Sequence, residues 1–150
     1  MSNNWLIFVP CDPQFHPREE DIAVALNYLR ELAPRANDIT VESDGSVNLF
    51  HAGSNFETVS CPTCGAKISR EGWIAALEEA WESRFEDLSI ITPCCSSDTS
   101  LNDLNYDMPM AFGRFALELS NPRIGHIPDV QRKRLEQILK TPLKIVWKQL

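Results

Sequence analysis

The chain has 150 residues, 43% of them apolar and 23% charged, with a formal net charge of −7. That profile is of an ordinary globule, long enough to bury roughly two thirds of its unfolded surface within one domain spanning 1–150. No apolar run approaches the roughly 20 residues of a membrane helix, and Trp5 to Val9 lacks both a basic leader and a small-residue cleavage site, so neither a membrane span nor a signal peptide is predicted and a cytoplasmic protein is expected.

Trp5 to Val9 is continuously apolar, as in a strand buried on both faces. Pro10, Pro13 and Pro17 then interrupt regular structure. From Arg18 to Pro34 a helix is predicted, with Ile22, Leu26, Leu29 and Ala33 as its buried stripe and Glu19, Glu20 and Asp21 at the positive end of its dipole. Ile39 to Ser43 and Ser46 to Phe50 alternate apolar with polar, and Asp44-Gly45 between them reads as the turn of a hairpin. Ser69 is the expected N-cap of a helix reaching about Arg84, with Trp73, Leu77 and Trp81 turned inward. Leu88 to Thr92 is a short strand, and the polar stretch Ser96 to Asn105 holds one more around Leu101 to Leu104. Pro109 opens a predicted helix with Phe112, Phe115, Ala116 and Leu119 on one face. A last helix follows Pro128, with Val130, Leu135, Ile138 and Leu139 apolar, and Thr141-Pro142 ends it. Leu143 to Lys148 alternates as a strand with one wet face. The predicted fold is α+β: a small mixed or antiparallel sheet covered by helices on one side.

Five cysteines stand in the chain, an odd number that argues against a disulfide framework. Cys61-Pro62-Thr63-Cys64-Gly65 has the spacing of a zinc knuckle: two intervening residues let both sulfurs face one ion, and glycine permits a tight turn whose N–H groups approach sulfur. Cys94 and Cys95 are adjacent, in a loop that follows a strand. Together Cys61, Cys64, Cys94 and Cys95 are the predicted metal ligands, forming a structural zinc knuckle that joins two distant loops, with His51 and His126 as alternatives for the fourth place. Four thiolates leave zinc no open position, which favours a structural over a catalytic ion. Cys11 stands alone and reads as a free buried thiol.

Other chemistry is thinly represented. Cys11 and His16 make a weak nucleophile–base pair with nothing to orient the imidazole. Asp103-x-Asn105-x-Asp107 starts like a calcium loop but places Met108 where glycine is needed and Arg114 where the bidentate glutamate belongs. No phosphate loop, dinucleotide fingerprint or nucleophile elbow is present.

The charge is uneven: residues 1–120 carry 7 Lys/Arg against 19 Asp/Glu, and residues 121–150 carry 7 against 2. The acidic body repels phosphate backbones and attracts a basic partner.

The segments Cys61-Pro62-Thr63-Cys64-Gly65, Thr92-Pro93-Cys94-Cys95, Ser100 to Tyr106 and Phe112-Gly113-Arg114-Phe115, with Phe8-Val9-Pro10 before Asp12-Pro13, resemble a family of small uncharacterised bacterial four-cysteine proteins. Members are often labelled transporter ATPases. The resemblance implies a bacterial origin and a shared four-cysteine site and carries no activity with it; this chain has no phosphate loop to support the label.

The sequence therefore predicts a non-enzymatic, zinc-stabilised acidic protein that binds another, basic, protein; an immunity protein neutralising a cationic toxin fits that size and charge. Two alternatives stand beside it. One is an enzyme with a pocket beside the metal at Ser96 to Asp107. The other is a nucleic-acid binder using Arg132-Lys133-Arg134, Lys140, Lys144 and Lys148, which is disfavoured because a binder normally presents a basic footprint across the domain.

Overall fold

A computed structural model describes residues 3–52 and 57–149. Its centre is a four-stranded antiparallel sheet in the order β11-β1-β10-β2, formed by β1 (Asn4–Pro10), β2 (Asp38–Glu42), β10 (Ala116–Ser120) and β11 (Leu143–Gln149). The fold is α+β, as predicted. β1 lies between two neighbours, and Leu6, Ile7, Phe8 and Val9 are each no more than 2% exposed. That double burial is why its sequence shows no alternation.

Helix α1 (Glu19–Leu32) and helix α3 (Asp129–Leu139) cover one face of this sheet. Leu6, Phe8, Leu117 and Leu119 meet Ile22, Leu29, Leu135 and Leu139 there. α1 begins with three acidic residues, and Asp21 receives both Arg18 and Lys140, the latter at 3.0 Å, which ties the start of α1 to the end of α3. α3 ends where Lys140 turns left-handed, with φ at 61°, just before Pro142. Val130, one of the apolar residues of this helix, is 78% exposed, and the buried residues of α3 are Leu135 and Leu139.

Between β2 and β10 the chain leaves the sheet and builds a second layer. It contains β3 (Asn48–Phe50), β4 (Val59–Ser60), β5 (Lys67–Ile68), α2 (Arg70–Trp81), β6 (Ser89–Ile91), β7 (Asp98–Ser100), a 3-10 turn at Leu101–Asp103, β8 (Asn105–Tyr106) and β9 (Ala111–Gly113). These strands form three small sheets, β3-β9, β5-β4-β8 and β6-β7. Their core gathers Val47, Val59, Trp73, Leu88, Leu101, Leu104, Met110 and Phe112. Ala111 and Phe50 from this layer pack on Ile7, Val9, Ala116 and Val146, so the inserted segment covers the sheet face opposite the helices. The wet face expected for β11 is correspondingly closed at Val146, which is fully buried.

Four predicted elements come out differently. The Asp44-Gly45 turn does not close a hairpin: β2 pairs with β10 and β3 with β9. Asp44 instead accepts the Ser46 N–H in an Asx turn, and Gly45, at φ +85°, carries the chain from one layer to the other. The helix expected after Pro109 is two strands, β9 and β10. Phe112, Phe115, Ala116 and Leu119 satisfy a helical spacing by coincidence, since a strand buried on both faces also reads as a short apolar run. The strand expected at Leu101 to Leu104 is the 3-10 turn. On α2, Trp73 is buried but Trp81 is 51% exposed, lying under the Arg84 guanidinium; Ala80 takes the inward position. Among the described residues, no helix is long and apolar enough to cross a membrane.

Candidate metal centre

The β4–β5 hairpin carries Cys61 and Cys64 at its tip, and the β6–β7 hairpin carries Cys94 and Cys95. In the first turn the Cys61 N–H donates to the Ala66 carbonyl at 2.9 Å and the Gly65 N–H to the Cys61 carbonyl at 3.0 Å, with Gly65 at φ +80°. In the second, the Thr92 N–H donates to the Ser97 carbonyl at 3.0 Å and the Ser96 N–H to the Thr92 carbonyl at 2.9 Å, with Ser96 at φ 57°. The two turns therefore have the same backbone, and Thr92-Pro93-Cys94-Cys95-Ser96 matches Cys61-Pro62-Thr63-Cys64-Gly65 position by position. Thr92 stands where Cys61 does, and the missing thiol has moved two residues on, to Cys94.

The tips face each other. Cys61 Sγ lies 3.7 Å from Cys95 Sγ, Cys64 Sγ 3.3 Å from Cys94 Sγ, and Cys94 Sγ 4.0 Å from Cys95 Sγ. All four sulfurs fall within 4.8 Å of one another and none is in a disulfide. Four sulfurs about 2.3 Å from a tetrahedral ion would stand ~3.8 Å apart, so the spacing suits a single metal ion. Cys61 is buried; Cys64, Cys94 and Cys95 are exposed.

The surroundings favour thiolate at two of the four. The Cys64 and Thr63 N–H groups approach the Cys61 sulfur, the latter at 3.4 Å, and help bring its thiol down to about 6. Cys95 is lowered by the hydroxyls of Ser97, 3.0 Å away, and Thr92, 3.4 Å away. Cys64 receives the Ala66 N–H, yet its neighbours Cys94, Cys95 and Cys61 hold its proton up to about 12. Four anionic sulfurs this close repel one another, and a dication removes that obstacle. Thr92 and Ser97 escaped the sequence reading. The signal was present in the repeated Pro-x-Cys of the two turns, obscured because Thr92 replaces the ligand by which knuckles are recognised.

The remaining candidates lie elsewhere. His51 is half-buried and His126 exposed, and neither joins the cluster. Cys11 is half-buried rather than buried, and burial raises its thiol. His16 is engaged with the Pro17 carbonyl at 2.7 Å and Ser43 Oγ at 2.8 Å, so both ring nitrogens are committed. Asp107 accepts the Glu57 and Thr58 N–H groups at 3.0 Å, in place of any calcium role. The stretch Ser96 to Asp107 forms β7, the 3-10 turn and β8, and Asp98 and Thr99 within it line a groove against α2. In the same stretch Asn102 Nδ2 donates to the Cys11 carbonyl at 3.0 Å and its Oδ1 accepts the Phe112 N–H at 2.9 Å. Of the basic C-terminal residues, Arg132 meets Asp129 and Glu136, Lys140 meets Asp21, Lys144 donates to the Asn102 carbonyl and Lys148 sits over Trp5, while Lys133 and Arg134 are exposed, the latter bonded to Gln137. Comparison of the chain with family models, curated proteins and solved structures yields no match.

Proposed function

We propose that Cys61, Cys64, Cys94 and Cys95 bind one structural Zn²⁺, and that the stapled, acidic body is a non-enzymatic protein that binds a basic protein partner. The observation that carries the metal assignment is the convergence of four sulfurs from two like-folded hairpin tips. Soft thiolates in a roughly tetrahedral set select zinc over the oxygen-seeking calcium and magnesium. With every ligand place taken by sulfur the ion would have no vacancy for substrate or water, which supports a structural role. The excess of Asp and Glu within residues 1–120, with Arg132 and Lys140 of the C-terminal cations paired to carboxylates of the fold, supports a basic rather than a nucleic-acid partner.

Elemental analysis of protein purified without chelator should find about one zinc per chain. Cobalt(II) in its place should give intense tetrahedral and thiolate-to-metal bands. Cys64→Ser should weaken retention, and Cys61→Ser should abolish it and destabilise the fold, since binding energy here is folding energy. Metal-free wild-type protein of unchanged stability would refute the structural role. The finer form of the partner reading is an immunity protein against a cationic toxin. That form expects a basic toxin gene beside this one, whose co-expression with this protein should restore growth; continued killing would reject it.

A further inference from the structure

One face of the metal-bearing layer is open. A groove of about 740 Å³ runs between α2 and the β6–β7 hairpin. The helix presents Gly72, Ala75 and Ala76 to it, residues too small to fill the space. The hairpin presents Ile90, Ile91 and Pro93, and Pro93 belongs to the second cysteine turn, so the groove abuts the metal centre. Ile91 is 67% exposed, an unusual position for a β-branched apolar side chain on a strand. A second recess of about 380 Å³ continues the groove past Ala76 and Glu79 toward Asp87.

The charged residues lining this channel are Glu79, Asp98, Glu82 and Asp87, all exposed, and no lysine or arginine lines either part. Arg84, the next cation along the chain, is held over the Trp81 ring at 4.5 Å. An apolar floor with a rim of one sign calls for a ligand that is apolar at some positions and cationic at others. β6 also keeps an edge. The Thr92 N–H to Ser97 and the Leu101 N–H to Leu88 bonds place Leu88, Ile90 and Thr92 toward β7, so Ser89 and Ile91 turn their backbone groups the other way. The Ser89 N–H is taken by Asp87 Oδ1 at 3.0 Å. Among the described residues no further strand pairs with β6.

We propose that this channel is a docking site for an extended, basic peptide segment of a partner protein, laid along β6 with apolar side chains between α2 and the hairpin and Lys or Arg toward Glu79, Glu82, Asp87 and Asp98. The proposal rests on the acidic-binder reading and gives it a place on the molecule. Strand addition of this kind draws affinity from the main chain and specificity from alternate side chains.

The test uses the zinc-loaded full chain and three labelled peptides: (Lys-Val)₄, (Lys-Gly)₄ and (Glu-Val)₄. At about 50 mM salt, where screening is modest, (Lys-Val)₄ should bind, (Lys-Gly)₄ at least tenfold more weakly, and (Glu-Val)₄ not at all. Amide shifts in ¹H–¹⁵N spectra should concentrate on residues 72–79 and 89–99. Ala75→Trp, which fills the groove from an exposed helix position, and the double reversal Glu79→Lys/Asp98→Lys should each weaken (Lys-Val)₄ at least tenfold while retaining one zinc per chain. Binding with shifts confined to another acidic surface, such as the first turn of α1, would overturn the docking site and leave the acidic-binder reading standing. Equal binding of (Glu-Val)₄ would overturn the charge selection. No binding of any of the three peptides would overturn the docking site, and the acidic-binder reading would fall with it only if folded basic proteins also failed to bind at that salt.

Discussion

Asn102 is one of the polar side chains that join the two layers. It is 1% exposed, and its amide spans the Cys11 carbonyl at the end of β1 and the Phe112 N–H in β9, while its own carbonyl receives Lys144 from β11. Asn102→Ala leaves the buried Phe112 N–H and the half-buried Cys11 carbonyl without this partner, so a loss of about 1–3 kcal/mol is expected. Urea unfolding should show a lower midpoint at unchanged slope. Glu118 supplies a pH test. It lies on β10 opposite Ile7 and Thr40, and burial, with Glu42 nearby, raises its carboxyl pKa. The folded chain then holds that proton more tightly than the unfolded one, so this residue's contribution falls as pH rises from the ordinary carboxyl range through the raised value. Glu118→Gln should remove that slope and gain up to about 1 kcal/mol at pH 7, the range expected of a solvent-screened charge. Stability curves of both proteins between pH 4 and pH 8 would reveal it.

At the scale of elements, the sequence was legible where one side of the chain faces water. α1 has its charged face, and α2 has the Ser69 cap, whose hydroxyl accepts the Gly72 N–H at 3.0 Å. Among the enclosed elements the unbroken apolar run of β1 was legible as a strand, but β10 misled. β10 is covered on both faces, so nothing in Ala116 to Ser120 distinguishes strand from helix. The Asp44-Gly45 turn shows the limit of local signals: the dipeptide makes the turn, but long-range pairing with β10 and β9 decides where the flanking strands go. The cysteine pairs were legible as one candidate ligand set because their chemistry is rare; the equivalence of Thr92 with Cys61 was not, because it resides in backbone hydrogen bonds. Gly113 gives an element-level prediction. A Cβ there would lie 2.7 Å from Val9 Cγ1 and 3.3 Å from the Phe115 carbonyl, where β9 crosses β1. Gly113→Ala should cost about 1–3 kcal/mol by overpacking, seen as a lowered melting temperature with metal uptake by the four cysteines unchanged.

Across the whole molecule, the helix-backed sheet and the inserted layer hold separate cores, joined mainly through Asn102, Arg114 and the Ile7–Val9 face. Arg114 reaches Gln14, the Gly45 carbonyl and Glu86 at once. If the four cysteines hold the proposed ion, its removal should therefore act unevenly. With a strong chelator, hydrogen exchange should accelerate through residues 57–107 while amides of β1, β10 and β11 stay protected; simultaneous loss of protection everywhere would show one cooperative unit instead. The matched turns have a consequence for rebuilding the centre. If hairpin tip and counter-tip are interchangeable halves of a pseudo-dyad, a thiol need not sit where this chain puts it. Exchanging the side chains at 92 and 94, as Thr92→Cys with Cys94→Thr, would restore two-fold symmetry and still coordinate one ion, whereas Cys94→Thr by itself would leave the cage a ligand short.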